Sequence, residues 1–251
     1  MLLEACIDDI ASAHAAIAGG AGRLELCDNL GDGGTTPSHG VLGYLLDTFD
    51  IPVYPIIRPR GGGFCYSREE RRIMARDVAH AHALGARGVV VGALTEFGEI
   101  DVDAMHEIVP TDLGLDVTFH RAFDLCADPL RAIDTLLRLG VGRVLTSGQR
   151  ETAWEGRHVI ADVVRLAGPT MVIMAGGGIR EDHVEALVRE TGVREIHVRA
   201  ATLRIEEAGW DRPTVPFRRA LPENELARYV TDPARIGAIR AAAARGVRSE
   251  S

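Results

Sequence analysis

Apolar and polar positions along this chain follow two patterns that alternate with each other. Short runs rich in Val, Ile and Leu are followed by longer stretches with helical periodicity, which is typical of a parallel sheet covered by crossover helices. Helix start signals lie between the runs: Ser67 with Glu70 predicts a capping box, and Asp128 precedes Pro129. The pattern predicts strands at residues 2–6, 23–27, 52–58, 88–94, 116–121, 143–147, 170–175 and 195–200.

Eight β/α units in about 200 residues predict an α/β fold of the TIM (β/α)8 barrel type, with residues 1–202 as one domain. An open flavodoxin-like sheet is the alternative, although it normally has fewer strands. The periodicity weakens beyond Arg204, and residues 209–225 contain three prolines, which predicts an irregular segment. Residues 203–251 are therefore expected to form a C-terminal extension that packs on the barrel through a helix within 232–246, with residues 247–251 disordered.

Composition narrows the classes of partner and chemistry. A formal charge of −8 and a pI of about 5.6 argue against nucleic acid or an anionic membrane as the main partner. The acidic N-terminus and the lack of a long apolar run predict no signal peptide and no membrane span, so we expect a cytoplasmic protein whose four cysteines remain thiols. All 28 cationic side chains are arginine, which excludes Schiff-base aldolases, lysine-anchored pyridoxal enzymes and P-loop chemistry.

Strand alternation predicts which side chains line a barrel lumen, where the active sites of such barrels lie at the carboxyl ends of the strands. Leu3, Ala5, Leu24 and Leu26 are expected to face the helices, and the intervening residues then point inward. The segment VTFHRAFD, residues 117–124, ends its strand in a histidine and places Arg121 and Asp124 in the following loop. The residues predicted to point inward are Glu4, Cys6, Glu25, Cys27, Tyr54, Arg58, Thr118, His120, Thr146, His197 and Arg199.

Cys6 and Cys27 are the candidate metal ligands. They are predicted to project from neighbouring strands toward the same end of the lumen, and strand spacing of about 4.8 Å allows a two-thiolate site. Cu(I) is a soft ion that selects thiolates. The alternative is that both are small buried apolar side chains, since there is no CxxC motif.

A second set of residues predicts acid–base chemistry. Glu4 and Glu25 form a carboxylate pair, His120 titrates near neutral pH, and Arg58 supplies a fixed cation for an anionic substrate. The alternative is a structural role, with the carboxylates paired to Arg58 because isolated buried charges are costly.

The segment AGGGI, residues 175–179, follows the seventh predicted strand. Barrel enzymes often bind phosphate at this position through backbone N–H groups. With His197 and Arg199 near them, Gly176, Gly177 and Gly178 therefore predict an anion-binding site, or else only a tight strand-to-helix turn.

The motifs LEAC, RLELCDNLGDGGTTPSHG, PVYPIIRPRGGGFCYS, VTFHRAFD, RVLTSG and IMAGGGI, in this order, resemble the copper homeostasis protein CutC family over residues 2–202. The resemblance implies a cytoplasmic TIM barrel linked to copper, acting as a homo-oligomer, with a dimer favoured. The segment HVRA departs from the family pattern, because Arg199 stands where a serine is expected.

Two functional hypotheses follow. The first is a copper homeostasis protein that binds Cu(I) through Cys6 and Cys27 at the barrel mouth. The second is a lysine-free barrel enzyme that acts on a small anionic metabolite, with Glu25 and His120 as acid–base groups and Arg58 as the substrate clamp. An inert scaffold is a poorer explanation, because burying these charged groups together would cost stability.

Overall fold

The chain folds as a parallel β/α barrel, which confirms the predicted fold class. The computed structural model describes residues 1–206 and 226–247. Eight parallel strands form one sheet in the order β3-β2-β1-β8-β7-β6-β5-β4. They are β1 (Leu2–Ile7), β2 (Arg23–Leu26), β3 (Val53–Pro55), β4 (Gly88–Val91), β5 (Asp116–Phe119), β6 (Arg143–Thr146), β7 (Val172–Gly176) and β8 (Glu195–Val198).

The barrel closes between β3 and β4. Ile56 and Val90 form an isolated parallel bridge, and the Ile57 N–H donates to the Val90 carbonyl at 2.7 Å. β3 is short and ends at Pro55, since a proline nitrogen cannot donate to a neighbouring strand. The predicted strand over 52–58 therefore ends earlier than expected.

Helices cover the outside of the barrel, and two of them begin at the capping residues that the sequence predicted. The Ser67 hydroxyl accepts from the Glu70 N–H at 3.3 Å, and the Ser67 N–H donates to the Glu70 carboxylate at 2.8 Å, which completes a capping box. Asp128 caps the helix that begins at Pro129. The helices are α1 (Ile10–Ala18), α2 (His39–Thr48), α3 (Arg68–Ala83), α4 (Val102–Ile108), α5 (Pro129–Arg138), α6 (Arg157–Ala167), α7 (Val184–Thr191) and α8 (Pro233–Gly246).

The apolar core lies between the outer face of the strands and the helices. Leu3, Ala5, Leu24 and Leu26 are all buried in it, as the alternation of β1 and β2 predicts. The lumen receives residues of opposite parity, which include Glu4 and Cys6 of β1 and Glu25 of β2. The polar chemistry of the protein is therefore concentrated inside the barrel.

A hairpin that the sequence did not predict follows β8. β9 (Ala201–Ile205) pairs antiparallel with β10 (Ala227–Thr231). The predicted terminal helix is present as α8, which packs against α7 and α1. The predictions for residues 209–225 and 248–251 lie outside the described residues. Within the ranges described, no helix combines the length and the apolar character that crossing a bilayer requires.

Candidate functional site

A layer of paired charges closes the lumen at the amino ends of the strands. Arg23 begins β2 and binds Glu4 as well as Glu195, the latter at 2.5 Å. Arg143 begins β6 and binds the same Glu195 carboxylate through its Nε at 2.7 Å. Glu195 therefore pairs with two buried guanidinium groups. Without a carboxylate partner, the loss of hydration would make these cations costly to bury.

The same layer extends across the barrel to β3 and β5. Arg143 Nη1 donates to Asp116 at 3.0 Å, and the Tyr54 hydroxyl donates to the same carboxylate at 2.9 Å. The Arg23 and Arg143 guanidinium groups lie 5.3 Å and 6.0 Å from the centroid of the Tyr54 ring. We call this set the arginine layer: Arg23, Tyr54, Asp116, Arg143 and Glu195.

Sequence analysis missed four members of the arginine layer, because a charged residue that starts a strand looks like a boundary. The parity rule applied to β2 would have found Arg23, since it lies two residues before Glu25. The rule would not have found Arg143, because the sequence predicted that Thr146 points inward, and a residue three positions away then points outward. Thr146 was expected in the lumen, but its hydroxyl donates outward to Asp124 at 2.5 Å.

A second layer lies further toward the carboxyl ends of the strands. The sulfur atoms of Cys6 and Cys27 are 3.8 Å apart, and Cys27 Sγ lies 3.5 Å from Glu25 Oε2. His197 Nε2 lies 3.6 Å from the same Glu25 oxygen, so four side chains converge. We call Cys6, Glu25, Cys27 and His197 the thiol layer.

Glu4 connects the two layers. One of its oxygens lies 2.7 Å from His197 Nδ1, and the other binds Arg23. Burial alone would raise the pKa of Glu4, but the hydrogen bond and charge of His197 together with Arg23 lower it to about 2. Burial also disfavours the His197 imidazolium, yet the Glu25 charge and the hydrogen bonds to Cys6 and Glu4 raise its pKa well above the usual value. Glu4 and His197 therefore form a buried ion pair.

The two thiols are inequivalent. The pKa of Cys6 is well below that of an ordinary thiol, first because Cys27 donates a hydrogen bond to it, while burial opposes the shift and His197 supports it. The pKa of Cys27 is raised by the same hydrogen bond and then by burial. Burial, followed by the Cys6 charge, raises the pKa of Glu25. Cys6 is therefore the thiol that ionises more readily, whereas Cys27 and Glu25 hold their protons more tightly than usual.

The other two cysteines differ from this pair. Burial, followed by the charges of nearby aspartates, raises the pKa of Cys126 to about 12. Cys65 is exposed on the loop after β3. The surroundings of Cys6 therefore lower the pKa of its thiol, whereas those of Cys126 raise it.

His120 caps the short 3₁₀ turn Arg121–Leu125. Its Nδ1 accepts from the Ala122 N–H at 3.2 Å, which leaves Nε2 as the protonated nitrogen. Burial, reinforced by the Arg58 charge, lowers the pKa of His120 to about 3. His120 is therefore a neutral imidazole through the physiological range.

Arg58 holds the loops above the lumen. Its Nη1 donates to the carbonyls of Asp32 and Gly34 at 2.7 Å and 2.8 Å, and Nη2 donates to the carbonyl of Gly62 at 2.8 Å. The guanidinium lies 5.0 Å from the centroid of the Phe64 ring. Its Nη1 and Nη2 donors are thus directed at backbone carbonyls of the chain itself, whereas the buried Nε has no hydrogen-bond partner among the described residues.

The four predicted acid–base residues thus fall into two groups. Glu4 and Glu25 both lie beside His197, whereas Arg58 and His120 organise loops. Arg58 acts on His120 through its charge, but no ion pair joins it to Glu4 or Glu25 within the described ranges.

The segment VTFHRAFD, residues 117–124, supports the next loop. Asp124 accepts hydrogen bonds from the backbone N–H groups of Ser147 and Gln149 at 3.0 Å and 3.1 Å. Arg121 donates to Asp124 at 2.8 Å and to the Ser147 hydroxyl at 2.6 Å. A carboxylate from the chain itself therefore occupies the N–H groups after β6 that could otherwise face an anion.

Close packing accounts for the glycine at the end of β7. A Cβ at Gly176 would come within 2.5 Å of Leu145 Cδ1 and 3.2 Å of His197 Cβ. Gly177 and Gly178 have φ values of 103° and 66°, which strongly favour glycine. The cation beside Gly177 is Arg121, whose guanidinium carbon would lie 3.4 Å from an added Cβ.

Arg199 lies elsewhere than the sequence suggested. It pairs with Asp8 at 3.4 Å, and its guanidinium lies 5.4 Å from the centroid of the Tyr229 ring on β10. Arg199 thus contacts the C-terminal hairpin, and its partners are an acid and an aromatic ring. His197, in contrast, points into the lumen.

The thiol layer has a donor set suited to a soft metal ion. Ligand atoms of Cys6, Glu25 and Cys27 all lie within 4.8 Å of one another. The 3.8 Å between the two sulfurs would allow both to bind one soft metal ion. The residues therefore fit a bridging metal with little rearrangement.

Comparisons with known proteins agree with this architecture. The CutC family model matches residues 1–202. The chain is 41% identical over 240 residues to a CutC protein of Pasteurella multocida, covering 96% of this chain and 98% of that protein. It is 41% identical over 242 residues to the human copper homeostasis protein cutC homolog, covering 96% and 89%.

Solved structures show the same fold. The copper homeostasis protein CutC from Streptococcus agalactiae superposes with a TM-score of 0.75 and 36% identity, covering 79% of this chain and 98% of that one. A phosphoribosylanthranilate isomerase from Pyrococcus furiosus has a TM-score of 0.58 at 14% identity, covering 97% and 98%, and shares the barrel fold alone. The chain thus belongs to the CutC family of copper homeostasis proteins.

Proposed function

We propose that the protein contributes to copper homeostasis by binding one Cu(I) ion between Cys6 and Cys27 inside the barrel. The observation that carries the proposal is a pair of buried thiols whose sulfurs are 3.8 Å apart, one of them acidified by the other. Thiolates are the ligands that Cu(I) prefers. Glu25, with an oxygen 3.5 Å from Cys27 Sγ, is the neighbouring oxygen donor.

The charges in the lumen favour a cation at the thiol layer. Among the lumen residues that the structure describes, three cations face three carboxylates below the thiols. The thiolate of Cys6 adds one negative charge that no arginine in this layer neutralises. Because buried charges are costly when unpaired, this negative charge attracts a cation to the thiols. The balanced groups are Arg23, Arg143 and His197 with Glu4, Asp116 and Glu195.

Copper binding must also displace one proton. The lowered pKa of Cys6 favours its thiolate, whereas the raised pKa of Cys27 favours its thiol. Two sulfur–copper bonds form, one S–H bond of Cys27 breaks, and that proton passes to solvent. The complex then has two thiolates around Cu(I), beside the His197 imidazolium.

Access to the site favours an ion over a metabolite. Glu4, Cys27, Glu25 and Cys6 are only 0%, 3%, 4% and 7% exposed. The enzyme hypothesis needs Arg58 as a substrate clamp, but that guanidinium already donates to three backbone carbonyls. It also needs His120 to titrate near neutral pH, and the pKa of His120 is about 3. The arrangement therefore supports metal binding better than acid–base catalysis.

The proposal includes a cytoplasmic location and a homodimer. A reducing compartment would keep both thiols available to Cu(I). The net charge of −8 supports a small cation as the partner and does not favour nucleic acid or an anionic membrane. The dimer is proposed from the family resemblance and can be checked by sedimentation of the intact protein.

An anaerobic Cu(I) titration against a competing chelator tests the proposal. The Cys6→Ser, Cys27→Ser variant is compared with the matched variant Cys65→Ser, Cys126→Ser, which keeps the lumen pair. We expect one tightly bound equivalent in the wild type and the matched variant, and loss of that equivalent when the lumen thiols are replaced. Equal binding by both variants would contradict the proposal.

A further inference from the structure

A second cluster of metal-ligating side chains lies on the outer wall of the barrel, between α2 and α3. His39 is the first residue of α2, whereas Asp77 and His80 lie one turn apart on α3. Residues three apart share a helix face, so the α3 pair points in one direction. Ligand atoms of all three residues lie within 4.8 Å of one another.

The two imidazoles meet across the gap between the helices. The ring centroids of His39 and His80 are 4.5 Å apart, with an angle of 71° between the planes. Both histidines are exposed to solvent, and Asp77 is partly buried beneath them. A metal ion bound here would therefore keep open coordination positions for water.

Asp77 has no permanently charged cationic partner among the residues that the structure describes. In the described part of the chain, no arginine lies within ion-pair distance of its carboxylate, although the sequence supplies 28 arginines. Burial raises the pKa of Asp77, whereas the Thr36 hydroxyl and the charges of His39 and His80 lower it. The Asp77 carboxylate is thus available as an anionic ligand beside the two imidazoles.

We propose that His39, Asp77 and His80 form a binding site for a divalent transition metal ion of the zinc class. Two imidazoles and one carboxylate are the donors that borderline ions such as Zn²⁺ prefer, and the absence of a thiol makes the set unlike the Cu(I) ligands. Metal–nitrogen bonds of about 2.0–2.1 Å require donors within roughly 3.3–4.2 Å of one another. The present separations of up to 4.8 Å close to that range through small side-chain rotations.

Sequence patterns alone do not reveal this cluster. His80 and His82 are two residues apart and do not share a helix face. The pair on the shared face is Asp77 with His80, and the third ligand comes from a different helix. Because the ion would link α2 to α3, its binding is expected to stabilise the folded state as well.

A Zn²⁺ titration with a chromophoric chelator tests the site. The background variant Cys6→Ser, Cys27→Ser, Cys65→Ser removes the lumen pair and the exposed thiol, so failure of the copper proposal would leave this test intact. We expect one equivalent of Zn²⁺ to bind the background variant and to raise its Tm. Affinity should fall as pH is lowered, because the ligating imidazoles must be deprotonated.

Matched substitutions in that background locate the ligands. His39→Ala and His80→Ala should each weaken Zn²⁺ binding at least tenfold and abolish the rise in Tm, whereas His82→Ala on the same helix should leave both unchanged. A metal-free Tm close to that of the background shows that the variants fold, and His39→Gln and His80→Gln repeat the test with a polar side chain. Equal affinity in the His39 and His80 variants, or loss of zinc binding in the background itself, would overturn the proposal.

Discussion

The arginine layer and the thiol layer occupy the same lumen but differ in how their buried charges are paired. In the arginine layer, Glu195 contacts Arg23 at 2.5 Å and Arg143 at 2.7 Å, and the neighbouring carboxylates are bound by the same two guanidinium groups. In the thiol layer, Cys6 has a lowered pKa, and no arginine among the described residues pairs with it. The charges of the arginine layer are therefore paired with one another, whereas the thiol layer retains a negative charge.

This difference separates stability from function within one barrel. Residues at the amino ends of barrel strands usually serve stability, whereas those at the carboxyl ends carry chemistry. Glu4 belongs to both, since one oxygen binds Arg23 and the other lies 2.7 Å from His197. The arginine layer thereby fixes the orientation of the imidazole that faces the thiols.

Removing Arg23 should have the largest effect on stability. The Arg23→Met variant leaves Glu4 and Glu195 without their shared cation, and breaking a buried ion pair from one side costs about 3–5 kcal/mol. Urea denaturation of the wild type and the variant measures the loss. Arg138→Met, which removes an exposed pair with Asp134, is the control and should cost no more than about 0.5 kcal/mol. Equal effects would mean that the arginine layer is not a structural element.

His120 should make the protein sensitive to mild acid. Its pKa is about 3 in the folded state, so the folded protein resists protonation that the unfolded chain accepts near pH 6.5. The stability is complete above pH 6.5 and is lost as the pH falls toward 3, by about 2–3 kcal/mol at pH of about 4.5. Glu4, whose pKa falls from 4.5 to about 2, loses its contribution as the pH falls from 4.5 to about 2, so the decline above pH 4.5 does not come from Glu4.

The His120→Asn variant isolates this effect, because asparagine can still cap the following turn but does not titrate. Urea unfolding at a series of pH values should give a shallower decline for the variant than for the wild type between pH 6.5 and about 4.5. Parallel declines would show that His120 is protonated in the folded protein.

The barrel itself was predictable because its signals are local and repeated. Each strand from β1 to β8 overlaps a predicted run, and the capping box at Ser67 begins α3 as expected. The hairpin of β9 and β10 was missed, because its strands are separated by residues 206–226 and no short turn motif joins them.

The lumen was predictable only in part. Alternation predicted that Glu4, Cys6, Glu25 and Cys27 point into the lumen, away from the apolar core. The prediction succeeds because their neighbours along the chain are leucine, alanine and isoleucine, which face the core. The ion-pair partners of these residues were not predictable, because the partners lie on strands that are distant in sequence. Glu4 pairs with Arg23 and His197 where Arg58 had been considered.

Tyr54→Phe tests the edge of the arginine layer. The substitution removes the hydrogen bond of 2.9 Å to Asp116 but keeps the ring beneath the two guanidinium groups. We expect the free energy of unfolding to fall by about 1 kcal/mol, the usual value for one hydrogen bond. Thermal and urea unfolding both report this change, and a loss above about 3 kcal/mol would indicate that Tyr54 organises the whole layer.

Cys6→Ser should have the smallest effect on stability. The substitution removes a buried negative charge that lacks an arginine partner, so the free energy of unfolding should change by less than about 1 kcal/mol. The same variant should lose Cu(I) affinity, which separates the two layers experimentally. A loss as large as that of Arg23→Met would place Cys6 among the structural residues.

The charge on Cys6 can be measured directly by titrating the ultraviolet absorbance of thiolates against pH in the metal-free Cys65→Ser protein, with Cys6→Ser added as the comparison. The predicted result is one thiolate per chain at neutral pH that disappears in the Cys6→Ser variant, because the Cys27 hydrogen bond and His197 lower the pKa of Cys6. Titration of all remaining thiols at or above the ordinary value of 9.0 would contradict the uncompensated charge on which copper binding is proposed to depend.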